Sequence, residues 1–374
     1  MGKIRILYTL NEARMAGTER HVLYLLKNLN RELFDPHVVC FSEGPLIEML
    51  RKQQIDARSL PRKRFLDFPV AKRLFDLIKE TKIALVHSHC GHFSFWVAKI
   101  AGVRHLIETR HGLYFNYDEL DHIRPMAYWL NKAKASFVNL TLTVNTFDRQ
   151  LLIEKFNIPE RKIEAVMNGV DLEDIKNAVS SSRVLDELKI RKGAPVVGTV
   201  ARLTEQKGLR YFVESIPLIR TKFPDTQFVI VGDGELRSEL VREAEKHQVL
   251  TNIIFTGYRE NAISIMSIFD VFVLPSLWEG TAYTILEAMA LKLPVVATAV
   301  FGNREVVVHG ETGNLIEPRN SAQIAHAVIK LLSDKQRAKI MGENGFKRIE
   351  RLFSAKEMTR KIEQIYLELL NGQE

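Results

Sequence analysis

The chain has 374 residues, 46% apolar and 26% charged, and a net charge of +8. That length exceeds one ordinary hydrophobic core and suits two α/β domains, and the composition is that of a soluble globular protein. No run approaches the roughly 20 apolar residues of a membrane span, Met1-Gly2-Lys3 leads into a short strand and not into a signal peptide, and no lipidation motif follows Gly2.

In chain order, the first half opens with a predicted strand at 4–9 and a loop through Arg14-Met15-Ala16-Gly17-Thr18-Glu19. An amphipathic helix with Val22, Leu23, Leu25, Leu26 and Leu29 comes next. Further strands are predicted at 36–41, 84–88, 105–109 and 140–144. Between Arg51 and Lys82 ten basic residues face four acids, so most of the excess charge is local. Phe65, Leu66, Phe68, Leu74, Phe75 and Leu77 interleave with those cations. Such a segment is either a solvated helix face with a loop or a surface for an anionic membrane. No recognition module accompanies the charge, so nucleic acid is not expected.

The second half repeats the rhythm, with strands at 195–200, 227–231, 253–256, 271–275 and 294–297 and a helix at 209–220 after the first. Near-continuous apolar strands alternating with helices predict parallel sheets covered on both faces. A boundary near the polar stretch 177–192 divides two Rossmann-like domains facing a central cleft. Ligands of such sheets bind beyond the carboxyl ends of the strands, and nearly every polar or glycine cluster of this chain falls there.

Cys40 and Cys90 lie in apolar strand-like contexts, which points to a reducing cytoplasm and no disulfide framework. His87, His89 and His92 surround Cys90, but the spacing matches no closed zinc pattern, and a histidine-rich strand end lining a polar site is the expectation.

The most informative segment is Ser276-Leu277-Trp278-Glu279-Gly280-Thr281-Ala282-Tyr283-Thr284-Ile285-Leu286-Glu287. Glu279 precedes a helix and Glu287 falls in its early turns. A helix start offers unpaired amides to a phosphate, while carboxylates accept hydrogen bonds from sugar hydroxyls. The arrangement suits a nucleotide sugar. Thr284-x-x-Glu287 also reads as a capping box, which would make Glu287 structural. Arg202 and Lys207, in a strand-to-helix loop ending at Gly208, suit a diphosphate, although the loop is not a Walker sequence. Gly232-Asp233-Gly234 permits close backbone approach or a plain tight turn, and Gly257-Tyr258-Arg259 could present main-chain groups to a base. Gly17 begins a helix suited to a phosphate or hydroxyl, and His111 lies just past a strand end.

Taken together these motifs resemble glycosyltransferase family 4 (glycosyl transferases group 1), retaining enzymes of GT-B fold. The resemblance covers essentially the whole chain. It rests most specifically on residues 270–276, on Glu279 and Glu287, and on Gly310-Glu311-Thr312-Gly313. Asn168-Gly169-Val170-Asp171, Arg202 with Gln206-Lys207-Gly208, Gly232-Asp233-Gly234 and Phe353-Ser354 agree with it. It implies an acceptor-binding domain at 1–176, joined by a C-terminal helix at 355–374 that crosses back, and a nucleotide-sugar domain at 177–354. It further implies that Glu287 binds the ribose and Glu279 the sugar hydroxyls near the anomeric carbon. Arg202 and Lys207 would grip the diphosphate, helped by amides around Thr281, Ala282 and Tyr283, with Gly232 and Tyr258 also on the donor side. Gly17 would lie at the diphosphate or acceptor edge, and His111 beneath the transferred sugar. Transfer would be retaining and would need no metal or other cofactor, because fixed cations and a helix dipole replace the divalent ion.

Three departures from the family pattern remove no charged group: Ala16-Gly17, Thr281-Ala282-Tyr283 and Phe301-Gly302-Asn303-Arg304. The resemblance implies a hexosyltransferase that uses a nucleotide-diphospho-sugar, a UDP-sugar first, on a glycan, lipid-linked or small-molecule acceptor. Cell-surface polysaccharide or glycoconjugate synthesis at the inner membrane face would be its setting. A UDP-sugar epimerase and a non-catalytic sugar-nucleotide-binding subunit are the alternatives. Loss of Lys207 or Glu287 is expected to weaken donor use and leave the fold intact.

Overall fold

The computed structural model describes residues 2–64, 67–91, 93–112, 125–179 and 181–372. The first half holds β1 (Ile4–Leu10), α1 (Gly17–Asn28), β2 (Phe34–Cys40), α2 (Pro45–Lys52), β3 (Asp56–Ser59), α3 (Phe68–Glu80) and β4 (Leu85–Ser88). It continues with α4 (Phe93–Ile100), β5 (His105–Arg110), α5 (Pro125–Phe137), β6 (Leu140–Thr143), α6 (Thr146–Glu154) and β7 (Ile163–Ala165). Next come α7 (Leu172–Ala178), α8 (Ser181–Glu187), β8 (Val196–Val200), α9 (Leu209–Lys222), β9 (Gln227–Val231), α10 (Arg237–Lys246), β10 (Ile253–Gly257) and α11 (Ala262–Met266). The chain ends with β11 (Val271–Leu274), α12 (Tyr283–Ala290), β12 (Val295–Thr298), α13 (Phe301–Val306), β13 (Asn314–Ile316), α14 (Ser321–Ser333), α15 (Lys335–Leu352) and α16 (Ala355–Asn371).

These elements form two units. Among the described residues, the first comprises those up to 169 with the chain from Ala355 onward, and the second comprises Val170–Ser354. The stretch 177–192 therefore lies inside the second unit, where it carries α8. Two contacts draw residues 170–178 there. The Val170 amide donates to the Phe353 carbonyl at 2.9 Å, and Asp171 caps α7 by accepting from the amides of Glu173 and Asp174.

Each unit is built on a parallel sheet. The first has strand order β3-β2-β1-β4-β5-β6-β7 and the second β10-β9-β8-β11-β12-β13. Register is fixed by pairs such as Thr9 with Ser88 and Phe272 with Val295. The order reverses between β1 and β4, and between β8 and β11. At such switch points the loops on neighbouring strands diverge and leave room for a ligand. Strands β4 and β11 are buried at every residue, as double-sided cover requires.

Helix α3 settles where the apolar insertions of the basic segment point. Val70, Leu74, Leu77 and Ile78 belong to the buried core of the first unit, with Phe75 packed against it. The apolar face of α3 is thus spent inward, leaving Phe68 exposed among the described insertions. Phe65 and Leu66, like His92, lie outside the described residues. On α1, the helix α16 packs back. Its Tyr366 is fully buried, with the hydroxyl 2.6 Å from His87 Nδ1 and 3.2 Å from the Tyr8 hydroxyl.

Candidate functional site

In the second unit the loops after β8 and β11 are laced together. The Leu277 amide donates to the Gln206 carbonyl at 2.7 Å, and Gln206 Nε2 donates back to the Trp278 carbonyl at 3.0 Å. This brings Lys207 Nζ into a direct ion pair with Glu279 Oε1. The Ser276 hydroxyl donates to the same carboxylate oxygen at 2.7 Å. Both charged side chains are nearly enclosed, with 14% of Lys207 and 6% of Glu279 exposed. A cation suited to phosphate and a carboxylate suited to hydroxyls therefore sit side by side at the switch point. Arg202, in the same β8–α9 loop, stays exposed and has no ion-pair partner among the described residues.

Helix α12 begins at Tyr283 with Ala282 as N-cap, and no side chain caps it. Thr284 is therefore its second residue, and the Thr284-x-x-Glu287 capping box does not form. The first intrahelical acceptor, the Ala282 carbonyl, serves Ile285 and Leu286, so the amides before them need partners from outside the helix ladder. Thr281, Ala282 and Tyr283 are all buried around this helix start. Glu287, one turn further on, is 1% exposed. The loop beneath is held from β12, where Thr298 Oγ1 donates to the Ser276 carbonyl at 2.5 Å and Asn303 Nδ2 donates to the Thr298 carbonyl at 3.0 Å.

Two glycines are needed for chain-to-chain approach here. A Cβ on Gly302 would lie 1.5 Å from the Gly280 carbonyl oxygen, so α13 can reach the Glu279–Gly280 loop only without a side chain. A Cβ on Gly232, where φ is +135°, would lie 1.9 Å from the Ala201 carbonyl oxygen. The Gly232 amide already donates to Gly257 at 2.9 Å. Gly232 thus brings the chain close to itself, the tight-turn alternative of the sequence. Tyr258 follows Gly257 at the end of the edge strand β10 and is exposed.

In the first unit, β4 and β5 end in a packed group of histidines. His89 Nδ1 is 3.0 Å from His111 Nε2, and the two rings stack with centroids 5.2 Å apart. His21 of α1 lies 4.9 Å from His111 edge-on and hydrogen-bonds Asn168 Oδ1 at 2.9 Å through Nδ1. His87 is bonded on both nitrogens, to the Tyr366 hydroxyl at 2.6 Å and to Thr109 Oγ1 at 2.7 Å. Beneath them Arg110 Nε donates to Glu108 Oε2 at 2.9 Å in a buried pair, and Arg110 Nη1 reaches Asn131 at 2.7 Å.

Burial holds these rings neutral. It pulls His21 down to about 4 against an opposing hydrogen bond from Asn168. Burial, with the neighbouring histidines, pulls His89 and His111 well below the ordinary range. His89 Nε2 is buried with no hydrogen-bond partner among the described residues. An unpaired lone pair costs less than an unpaired N–H, which places the His89 proton on Nδ1, donating to His111 Nε2. Among the described residues no three His, Cys, Asp or Glu side chains are placed to hold a metal ion. Cys40 and Cys90 are buried, unbridged thiols, and burial pushes Cys40 up to about 12.

Gly17 is the first residue of α1, behind Ala16, whose amide donates to the Glu19 carboxylate at 3.1 Å. A helix start already carrying its own carboxylate is a poor phosphate site but tolerates a neutral hydroxyl. The structure thus gathers Lys207, Glu279 and the start of α12 in the second unit, and His111 with His21 and His89 in the first. Sequence reasoning passed over Ser276 as a carboxylate donor and His21 altogether, and named Asn303 only as part of a departure from the family pattern. His21 looks like any polar residue on an amphipathic helix, and only its ring contacts set it apart.

Comparison with known proteins gives the same reading. The family profile "Glycosyl transferases group 1" matches residues 182–348, and "Glycosyltransferase Family 4" matches residues 15–174. The chain is 29% identical over 380 residues to an Escherichia coli UDP-Gal:alpha-D-GlcNAc-diphosphoundecaprenol alpha-1,3-galactosyltransferase, covering 98% of each chain. It is 30% identical over 182 residues to the capsular polysaccharide biosynthesis glycosyltransferase CapM of Staphylococcus aureus, covering 48% of this chain and 47% of CapM. Its fold matches Anabaena HepE, crystallised with UDP and glucose, at a TM-score of 0.84 and 20% identity, covering 98% of this chain and 100% of that one. With two parallel Rossmann-like units, both family profiles and a relative matched end to end, the chain is a glycosyltransferase enzyme of GT-B fold and belongs to glycosyltransferase family 4.

Proposed function

We propose that this enzyme moves a hexose from a UDP-sugar to a lipid-linked acceptor, with retention at the anomeric carbon and without a metal ion. The observation that carries the reading is the Lys207–Glu279–Ser276 group at the β8/β11 switch point, beside the start of α12. The end-to-end similarity to a galactosyltransferase named for UDP-Gal and a diphosphoundecaprenol acceptor favours the same donor base and acceptor class.

Each residue then has a chemical task. Lys207, Arg202 and the α12 amides hold the diphosphate and offset the charge that grows on it as the anomeric C–O bond breaks. Glu279 accepts hydrogen bonds from sugar hydroxyls and fixes the ring, while Glu287 serves the ribose. His111 keeps the role in sugar binding that the family resemblance implies. The acceptor oxygen bonds to the anomeric carbon on the face the phosphate leaves, and its proton passes to the departing phosphate oxygen. No side-chain base is required.

The test is transfer from UDP-galactose, UDP-glucose, UDP-N-acetylglucosamine and GDP-mannose to a polyprenyl-diphospho-sugar in the presence of EDTA. Undiminished transfer from one UDP-sugar, giving a product with the donor's α configuration, is the expected result. A requirement for a divalent ion, or a β product, would overturn the corresponding part.

A further inference from the structure

Helices α4 and α5 carry no acidic residue along their whole length. Their outward faces are apolar. On α4, Trp96 and Ile100 are exposed, and on α5 so are Met126, Trp129 and Leu130, with Ile100 at 74%, Met126 at 70% and Trp129 at 63%. The spacing is helical on both, so each helix presents one stripe. The stripes join where Phe137, at the end of α5, packs on Trp96 with ring centroids 4.8 Å apart. Lys99 Nζ lies 4.5 Å above the Phe137 ring, and Lys132 Nζ lies 5.5 Å above Tyr128 and 5.7 Å above Trp129. Alongside α4 runs α3, with exposed Phe68 at its start and an exposed Lys72 that pairs with Asp76 at 2.6 Å.

Contiguous apolar surface of this kind marks an interaction site. Its chemistry selects the partner. Protein interfaces deplete lysine, whereas at a bilayer surface lysine runs its stem along apolar groups and lifts its ammonium to the headgroups. Tryptophan is enriched at that same depth. Lysines over aromatic rings, with no acid on either helix, match an anionic headgroup layer. Among the described residues no helix is long and apolar enough to cross a membrane, so the contact is with the surface.

We propose that the α4–α5 face docks this enzyme onto an anionic lipid bilayer, inserting Trp96, Ile100, Met126, Trp129 and Leu130 at the interface. The inference rests on the lipid-linked acceptor of the proposed function, since it gives the acceptor unit a membrane-facing side. It also moves the membrane contact off the Arg51–Lys82 segment, whose α3 side chains Leu74 and Leu77 are committed to the core.

The test is flotation of the whole chain with vesicles of phosphatidylglycerol and phosphatidylcholine, and with phosphatidylcholine alone, at low and high salt. Tryptophan emission is followed in parallel. The expected result is binding to the anionic vesicles with a blue shift, partly retained at high salt. The Ile100→Ser/Trp129→Ser variant should lower the partition coefficient at least about a hundredfold, because two large side chains leave the interface. Its melting temperature should be unchanged, as neither residue is buried. Lys72→Ser/Arg73→Ser should cost only a few-fold. Three results would overturn the proposal: no vesicle binding, binding that the Ile100/Trp129 variant keeps, or a dimer that this variant splits in the absence of lipid. Vesicles without acceptor separate the two claims. Binding without transfer to any lipid-linked acceptor would sink the function and leave the surface standing. Transfer in detergent without vesicle binding would do the reverse.

Discussion

Replacing Lys207 by Met or Glu279 by Gln should destabilise the second unit, and the two effects should not add. Lys207 and Glu279 pair directly with little water around them, and the carboxylate has one further donor, Ser276 Oγ. Lys207→Met leaves an enclosed carboxylate with a single hydroxyl, a loss of about 3 kcal/mol for an ion stranded from its partner. Glu279→Gln keeps the shape and an acceptor oxygen but loses the charge, for about 2 kcal/mol. The double variant strands no charge, so the cycle should show a coupling of about 2 kcal/mol. For a unit of this size, Lys207→Met should lower the melting temperature by about 6–12 °C. Calorimetry, which resolves the transition of each unit, reads this directly. Additive single losses would show that the contact has no energetic content, and the argument for a preassembled phosphate–hydroxyl site would go with it.

Acid should weaken the first unit through His21. Folded, this ring takes a proton near 4; unfolded, near 6.5. Between those values the unfolded chain binds more protons, so stability is complete above pH 6.5 and falls by about 3 kcal/mol by pH 4. Urea titrations across that window check it, and His21→Gln should remove only His21's share of the slope, the buried His87, His89 and His111 keeping the rest. Gly302→Ala places a methyl 1.5 Å from the Gly280 carbonyl and must displace the Glu279 loop. Donor affinity measured by calorimetric titration should drop at least about tenfold, equivalent to losing about one well-made hydrogen bond. Tyr366→Phe removes the hydroxyl 2.6 Å from buried His87 Nδ1 and should cost about 1–2 kcal/mol in chemical denaturation, with UDP binding unaffected.

The sheets were readable because parallel strands buried on both faces are written as unbroken apolar runs, such as Val271–Leu274. Lys207 and Glu279 were readable as site residues because each follows a strand end in a loop. Their ion pair was not, since it depends on Gln206 and Trp278 lacing two loops separated by 72 residues. The expectation that Lys207 could be lost without harm to the fold was framed without that contact, and the Lys207→Met melting temperature decides it. The same limit applies to Asn168 and Phe353-Ser354. As motif letters they are independent, whereas in the fold Asn168 holds His21 and the Phe353 carbonyl anchors Val170. Gly232 was ambiguous because glycine is needed equally for a ligand and for the chain's own backbone, and here Ala201 supplies one close neighbour. Sequence also gives no sign of which apolar residues stay outside. Leu74 and Ile100 are alike as letters, and only the helix packing buries one and exposes the other.

The return of α16 to the first unit has a consequence for biosynthesis. Tyr366 is an interior residue of a unit whose residues outside α16 and its flanks all precede position 170. The second unit has all its parts once Ser354 clears the ribosome. The first must wait, its β1 and α1 surfaces uncovered, until α16 is released. The half of the molecule made first is therefore finished last. A nascent chain stalled before Ala355 would carry a finished second unit and an open, sticky first unit, a natural substrate for chaperones.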